Sequence, residues 1–220
     1  MQKPEEKLFR FENRNYKRKN NPLLKYIFIL LFSCYLYNPS NAQERKFIYD
    51  VIKDGKVIGK INFIEIIQGQ KKFLSMTSDV ETTLIFPITD HTAETAAFEK
   101  GVMAYSSFSQ KHTGSDAVNK TTTLSGKFYK VTDNGESKSI SLSPIHYNTL
   151  LLYTTVPNNI DKVYSGNFQH MLNIKKISEN KYRLILPDGK VNDYTYKNGI
   201  CTMVEIVRPL FTIQFALREK

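Results

Sequence analysis

Apolar and polar residues alternate along most of the chain after Arg45. Across residues 74–86 the even positions read Leu, Met, Ser, Val, Thr, Leu and Phe, whereas the odd positions include Ser75, Asp79 and Glu81. Successive side chains of a β-strand point to opposite faces of a sheet, so a period of two predicts a strand with one buried face.

Pairs of Asn or Asp followed by Gly separate several of these strand-like segments. Such pairs tolerate the positive φ angles of a type I′ turn, which joins two antiparallel strands. They are Asp54-Gly55, Asn134-Gly135, Asp188-Gly189 and Asn198-Gly199. The pattern therefore predicts an all-β fold, mainly an antiparallel meander that forms a curved sheet or an open barrel.

One segment departs from the alternation and predicts a short helix. Ser143 is a suitable N-cap and Pro144 suits the first helical position. A helix over residues 144–153 would place Leu150 and Leu151 on its apolar side. We expect this helix to pack on or across the sheet.

The first 42 residues predict a cleaved signal peptide. Residues 1–25 are polar and basic, residues 26–37 form an apolar run, and small residues precede a cleavage site between Ala42 and Gln43. Twelve apolar residues span roughly 18 Å as a helix, against a hydrocarbon core of roughly 30 Å, so a membrane-spanning helix is less favoured. The protein is therefore predicted to be exported to the periplasm, to the outer-membrane surface or out of the cell.

A lipoprotein is the alternative interpretation of the leader. Residues 31–34 have the outline of a lipoprotein cleavage box, in which Cys34 would become the lipidated first residue. Membrane association is expected only in that case. After cleavage at Ala42, Cys201 is the single remaining thiol, which predicts a domain without an internal disulfide.

Residues 43–220 are predicted to form a single β-rich domain, and their charge does not indicate a nucleic-acid partner. The whole chain has a net charge of +10, but residues 43–220 hold 23 Lys and Arg against 18 Asp and Glu, a net charge of +5. Without a basic stripe beside exposed aromatic side chains, binding of DNA or RNA is not predicted.

Sequence motifs that carry a catalytic mechanism are absent. The chain has no HExxH, CxxC or GxSxG motif, no Walker loop and no Gly-rich dinucleotide turn. Asp90, His91 and Glu94 are the densest potential metal ligands, but on a strand Asp90 and Glu94 share a face that His91 does not. No catalytic residue, metal ligand or cofactor is therefore assigned.

Aromatic and aliphatic side chains are the remaining candidates for a binding site. Curved antiparallel sheets often enclose cavities for apolar molecules. The alternative is that these tyrosines only pack across strands, with their hydroxyls at the rim. The candidate ligand-binding residues, for a lipid or another apolar ligand, are Tyr129, Tyr182, Tyr194, Tyr196, Leu150 and Leu151.

Five stretches carry a resemblance to a known family. They read YDVIKDG at 49–55, VIG at 57–59, SPIHYNTLLLY at 143–153, KYRLILPDG at 181–189 and YTYKNGIC at 194–201. In these stretches, and along nearly all of residues 43–220, the chain resembles a family of exported, β-rich Bacteroidota proteins described as a domain of unknown function, the family numbered 6134. The resemblance implies a secreted or periplasmic β-rich domain, and it brings no activity and no site residues.

Three functions are compatible with these observations. The first is an exported, non-catalytic envelope protein that binds a hydrophobic ligand or an envelope partner on its curved sheet. The second is an extracytoplasmic hydrolase whose active site is assembled from dispersed residues. The third is a purely structural interaction module. A cavity would distinguish the first from the third, and a cluster of polar groups inside it would favour the second.

Overall fold

The structure, a computed structural model, describes residues 42–83, 87–141, 143–208 and 211–219. Residues 1–41 of the predicted signal peptide, and with them the alternative lipidation site at Cys34, lie outside these ranges. None of the helical segments in the described ranges is long and apolar enough to cross a membrane.

The described residues are mainly β-structure. The strands are β1 (Gln43–Lys53), β2 (Lys56–Gln68), β3 (Lys71–Thr83), β4 (Pro87–Glu99), β5 (Val102–His112), β6 (Val118–Ser125), β7 (Phe128–Asp133), β8 (Glu136–Ile140), β9 (Lys162–Ser165), β10 (His170–Ser178), β11 (Lys181–Ile185), β12 (Val191–Lys197), β13 (Ile200–Val207) and β14 (Thr212–Leu217). One 3₁₀-helix, Thr149–Tyr153, lies between β8 and β9. We call it the short helix.

All fourteen strands belong to one antiparallel sheet with the order β8-β7-β6-β5-β4-β3-β2-β1-β14-β13-β12-β11-β10-β9. The sheet consists of two meanders, β1 to β8 and β9 to β14, which join where β1 pairs with β14. The predicted all-β, antiparallel and curved sheet is confirmed, and the short helix packs on it.

The predicted burial of alternating positions is confirmed on β3. Leu74 and Ser78 are buried, whereas Asp79 and Glu81 are exposed. The same alternation places Phe63 of β2 in the core. The buried positions of successive strands form the concave face of the sheet, against which the short helix packs.

Three of the four predicted type I′ turns are confirmed. Both residues have positive φ angles in Asp54-Gly55 (51° and 73°), Asn134-Gly135 (46° and 95°) and Asn198-Gly199 (52° and 80°). The Asp188-Gly189 prediction is wrong in turn type, because only Gly189 has a positive φ. There the connection is longer, and the N–H of Gly189 donates to the carbonyl of Leu186 at 3.0 Å. Pro187 restricts φ to about −65° and so favours this ordinary turn.

The Gly199→Val variant tests the turn between β12 and β13. Gly199 has a φ of 80°, a region that a β-branched residue resists, so we expect the free energy of unfolding to fall by at least about 1 kcal/mol. Urea denaturation measures the change. Lys197→Val, at an exposed strand position on the same hairpin, is the control, and we expect it to leave the midpoint nearly unchanged. An unchanged midpoint for Gly199→Val would contradict the role of this turn.

The helix is shorter than predicted and begins later. Its N-cap is Asn148, whose side-chain oxygen accepts a hydrogen bond from the N–H of Leu151 at 3.2 Å. The predicted start at Ser143 and Pro144 is wrong, because residues 143–147 are neither helical nor part of a strand. The carbonyl of Ile145 accepts from the N–H of Met103 at 2.8 Å, so this backbone is already bonded to β5.

The short helix is enclosed by the sheet. Leu150 and Leu152 are fully buried, and Tyr153 is 5% exposed. The ring of Tyr153 stacks on Phe63, with centroids 5.1 Å apart, and meets the ring of Tyr49 edge-on at 5.3 Å. Aromatic packing of this kind fastens the helix to the concave face.

The two meanders also approach each other away from the β1–β14 pairing. There, hydrogen bonds from side chains connect them, and not paired strands. Strands β6 and β7 meet the β9–β10 turn, residues 166–169. The Lys120 Nζ donates to the carbonyl of Asn167 at 2.8 Å, and the Gln169 Nε2 donates to the carbonyls of Thr121 and Thr132 at 2.9 Å each. This turn is thereby held over the concave face, where the cavity described next is found.

Candidate ligand cavity

A cavity of about 150 Å³ lies between the short helix and the concave face of the sheet. Most of its lining is aliphatic or aromatic, with a few polar groups. The lining residues are Met76, Glu94, Phe108, Thr149, Leu150, Tyr153, Ser165, Asn167, Phe168, Leu172, Leu184, Leu186, Asn192, Tyr194, Val204 and Phe215. Phe168, in the β9–β10 turn, is 42% exposed, which places this turn at the outer end of the cavity.

The geometry of the short helix selects which of its side chains face the cavity. Residues i and i+3 of a 3₁₀-helix lie on the same side, because the helix has three residues per turn. Leu150 and Tyr153 are such a pair, and both line the cavity together with Thr149. Leu152 is buried in the core and does not line the cavity.

Glu94 is the single carboxyl group in the cavity lining. It lies on the concave face of β4 and is 7% exposed. The hydroxyl of Thr149 donates to its Oε1 at 3.3 Å. Burial raises the pKa of Glu94 to about 7, since removal of the carboxylate from water outweighs the hydrogen bond from Thr149.

Glu65 is also buried, but its charge is compensated. The Arg45 Nε donates to the Oε2 of Glu65 at 2.6 Å, the Lys72 Nζ lies 3.2 Å from its Oε1, and the Thr154 hydroxyl donates at 3.1 Å. A buried carboxylate with two cationic partners is typical of a structural ion-pair network. Among the described residues no Lys, Arg or His forms an ion pair with Glu94, so Glu94 is the carboxyl that indicates a functional site.

A glycine allows the β9–β10 turn to lie against Glu94. A Cβ atom on Gly166 would stand 3.0 Å from the Oε1 of Glu94 and 2.9 Å from the Oγ of Ser106. That Ser106 Oγ is buried and has no hydrogen-bond partner within the described residues. Any larger residue at 166 would therefore displace the carboxyl or the serine.

Two phenol groups near Glu94 remain protonated. Burial raises the pKa of Tyr153 and of Tyr194, and the nearby Glu94 carboxylate contributes in the same direction. Glu94 is therefore the only group in the cavity lining that changes its charge near neutral pH.

The six predicted ligand-binding residues do not form one site. Leu150 and Tyr194 line the cavity described above. Leu151 lines a different cavity of about 300 Å³, near the β2–β3 turn. The other three residues line neither cavity, and their hydroxyls donate to the Met103 carbonyl (Tyr129, 2.9 Å), the Asn158 side chain (Tyr182, 2.7 Å) and the Leu152 carbonyl (Tyr196, 2.8 Å).

The sequence pattern indicated Glu94 only as a potential metal ligand with Asp90 and His91. In the structure His91 pairs with Asp79 on the other face of the sheet. The described ranges contain no group of three or more His, Cys, Asp or Glu residues suited to a metal ion. The sequence signal that could have identified Glu94 is its place in the alternation of β4. It lies two and four residues before the buried Ala96 and Phe98, so its side chain points to the same buried face.

Comparison with known proteins supplies the family and no activity. No curated protein matches the chain. Among solved structures it is similar to a β-barrel-like protein of the domain of unknown function DUF1849 from Brucella abortus, with 10% sequence identity and a TM-score of 0.49, over 79% of this chain and 95% of that one. The family model described as Domain of unknown function (DUF6134) matches residues 49–218, so this chain belongs to that family.

Proposed function

We propose that this protein is exported and binds a small apolar or amphipathic molecule in the cavity beneath the β9–β10 turn, without catalysing a reaction on it. The observation that carries the proposal is the mainly apolar cavity with a single buried carboxyl group, Glu94. Concave apolar sites with few convergent polar groups and a perturbed pKa are the usual form of ligand-binding sites.

The volume of the cavity limits the size of the ligand. An apolar cavity of roughly 150 Å³ accommodates a molecule such as benzene. The cavity of about 150 Å³ here therefore suits a ligand, or the buried part of one, with the size of a single aromatic ring or a short acyl segment.

The polar groups around the cavity support binding over hydrolysis. A serine nucleophile needs an adjacent base that is itself held in orientation, and glycoside hydrolysis ordinarily uses two carboxyl groups. Ser106 and Glu94 approach the same glycine, but none of the four histidines hydrogen-bonds to either of them. The cavity lining contains one carboxyl group.

Export is supported by the position of the first strand. Strand β1 begins at Gln43, so cleavage after Ala42 would leave the whole sheet intact. We expect the intact mass of the protein from its native envelope to correspond to a chain that begins at Gln43. Retention of residues 1–42 would contradict export by cleavage, and a lipidated Cys34 would instead support the lipoprotein alternative.

Native mass spectrometry of the protein purified from its own envelope, followed by solvent extraction, tests the binding proposal. We expect a bound small molecule that the Leu150→Phe variant loses, because the larger ring fills the cavity. Leu151→Phe is the matched control, since Leu151 faces the separate cavity of about 300 Å³, and it should retain the molecule. Loss only in the Leu151 variant would place the site elsewhere. Wild-type protein that carries no molecule and binds no apolar probe would favour a structural module.

A further inference from the structure

The geometry points to a cationic ligand: a primary amine or ammonium ion of about the size of one aromatic ring, whose charged nitrogen lies beside the carboxylate of Glu94. This inference rests on the proposed function, because it uses the same cavity. It goes further in assigning the charge and the chemical class of the ligand.

The charges in the cavity lining favour a cation. The lining contains the carboxyl group of Glu94 and no Lys, Arg or His. Burial of an ionised carboxylate without a partner is unfavourable, and an opposite charge at hydrogen-bond distance compensates for it. Glu65 shows how this fold stabilises such a group, with Arg45 and Lys72 as its own cations. At Glu94 the corresponding cation would come from the ligand.

The aromatic content of the cavity favours the same ligand class. Its aromatic side chains are Phe108, Tyr153, Phe168, Tyr194 and Phe215. Aromatic rings attract cations through their negative faces, and cages of aromatic rings bind ammonium groups in this way. An anionic ligand would meet the Glu94 carboxylate without any positive side chain in the lining to balance it.

One hydrogen bond to Glu94 leaves its carboxyl group able to contact a ligand. Within the described residues, the Thr149 hydroxyl donates to Oε1, and no donor contacts Oε2. The carboxyl lies on β4 and is faced by Tyr153 of the short helix and Tyr194 of β12, both kept neutral by their raised pKa values. These phenols present no competing charge.

Calorimetric titration of the mature protein with benzylamine and benzyl alcohol tests the inference. The two probes have nearly the same size and differ in the charge of one group. At pH 8 we expect benzylamine to bind at least about tenfold more tightly, because both probes can donate a hydrogen bond to the Glu94 carboxylate but only the ammonium group balances its charge. We expect Glu94→Gln to remove this preference, so that the two probes bind the variant with affinities within about threefold of each other. Glu99→Gln, at an exposed position of the same strand, is the matched control and should change neither affinity.

Lowering the pH provides a second readout. Protonation of Glu94 removes the partner of the ammonium group, so the affinity for benzylamine should fall as the pH drops below about 7 and should be flat in Glu94→Gln. Equal affinity for the two probes in the wild type would overturn the inference while leaving the proposed function intact. Absence of binding by both probes would overturn both. The comparison of probes needs no variant, so a folding defect in Glu94→Gln would not prevent a decision.

Discussion

Replacing Tyr153 with alanine is expected to lower the free energy of unfolding by about 3 to 5 kcal/mol, the usual cost of truncating a large buried aromatic residue. Tyr153 is 5% exposed and its ring contacts those of Phe63, Tyr49 and Tyr194. The short helix spans only five residues, so packing and not helix propensity holds it in place. Removal of the ring would enlarge the cavity and loosen the helix from the concave face.

Two control variants identify the source of this loss. Tyr153→Phe keeps the stacked ring, so we expect a change below about 1 kcal/mol. Phe128→Ala removes an aromatic ring that is 53% exposed on β7, where truncation should cost much less than at a buried site. Urea denaturation of the three variants measures these differences. A loss for Tyr153→Ala no greater than that for Phe128→Ala would show that the short helix is a lid and not part of the core.

The Glu94→Gln variant is expected to remove the pH dependence that Glu94 imposes on stability. Burial raises the pKa of Glu94 from 4.5 to about 7, so the native state holds this proton more tightly than the unfolded chain. The stability from the neutral carboxyl is fully present below pH 4.5 and is lost as the pH rises through about 7. At roughly 1.4 kcal/mol for each pKa unit, the loss amounts to about 3 kcal/mol.

The measurement is the difference in unfolding free energy between wild type and Glu94→Gln at a series of pH values. Titrations of the other groups largely cancel in this difference. We expect wild type to lose about 3 kcal/mol relative to the variant between pH 4.5 and pH 8, and a saturating amine to restore part of it. Glu99→Gln, exposed on the same strand, should show a small, nearly constant difference. If the difference in unfolding free energy between wild type and Glu94→Gln did not change with pH, the Glu94 carboxyl would be solvated in the native state. There would then be no reason to single it out as a functional group.

The turns show how far local sequence determines structure. Asn198-Gly199 adopts the positive φ angles that its residue types favour, because a two-residue hairpin depends mainly on backbone sterics within the turn. At Asp188-Gly189 the preceding Pro187 changes the allowed angles, and the predicted turn type fails. The strand alternation was likewise predictable, since burial of one face follows from the period of two.

The start of the short helix could not be predicted from the local sequence. Ser143 and Pro144 form a sound N-terminal signal, but the backbone of Ile145 bonds to Met103, 42 residues earlier in the chain. Hydrogen bonds to distant strands satisfy this segment without helical structure, so the helix starts only where Asn148 can cap it. A helix of marginal stability follows its tertiary contacts more than its propensity.

The sequence by itself determined the all-β class, the parity of the buried positions, three of the hairpin turns and the presence of a short apolar helix, because each depends on contacts between neighbouring residues. The tertiary structure alone decided which side chains share a cavity. Leu150 and Leu151 are adjacent in the chain yet line different cavities, while Glu94, Thr149 and Gly166 come together from β4, the short helix and the β9–β10 turn. The curvature of a fourteen-stranded sheet sets these distances, and no local pattern in the chain encodes that curvature.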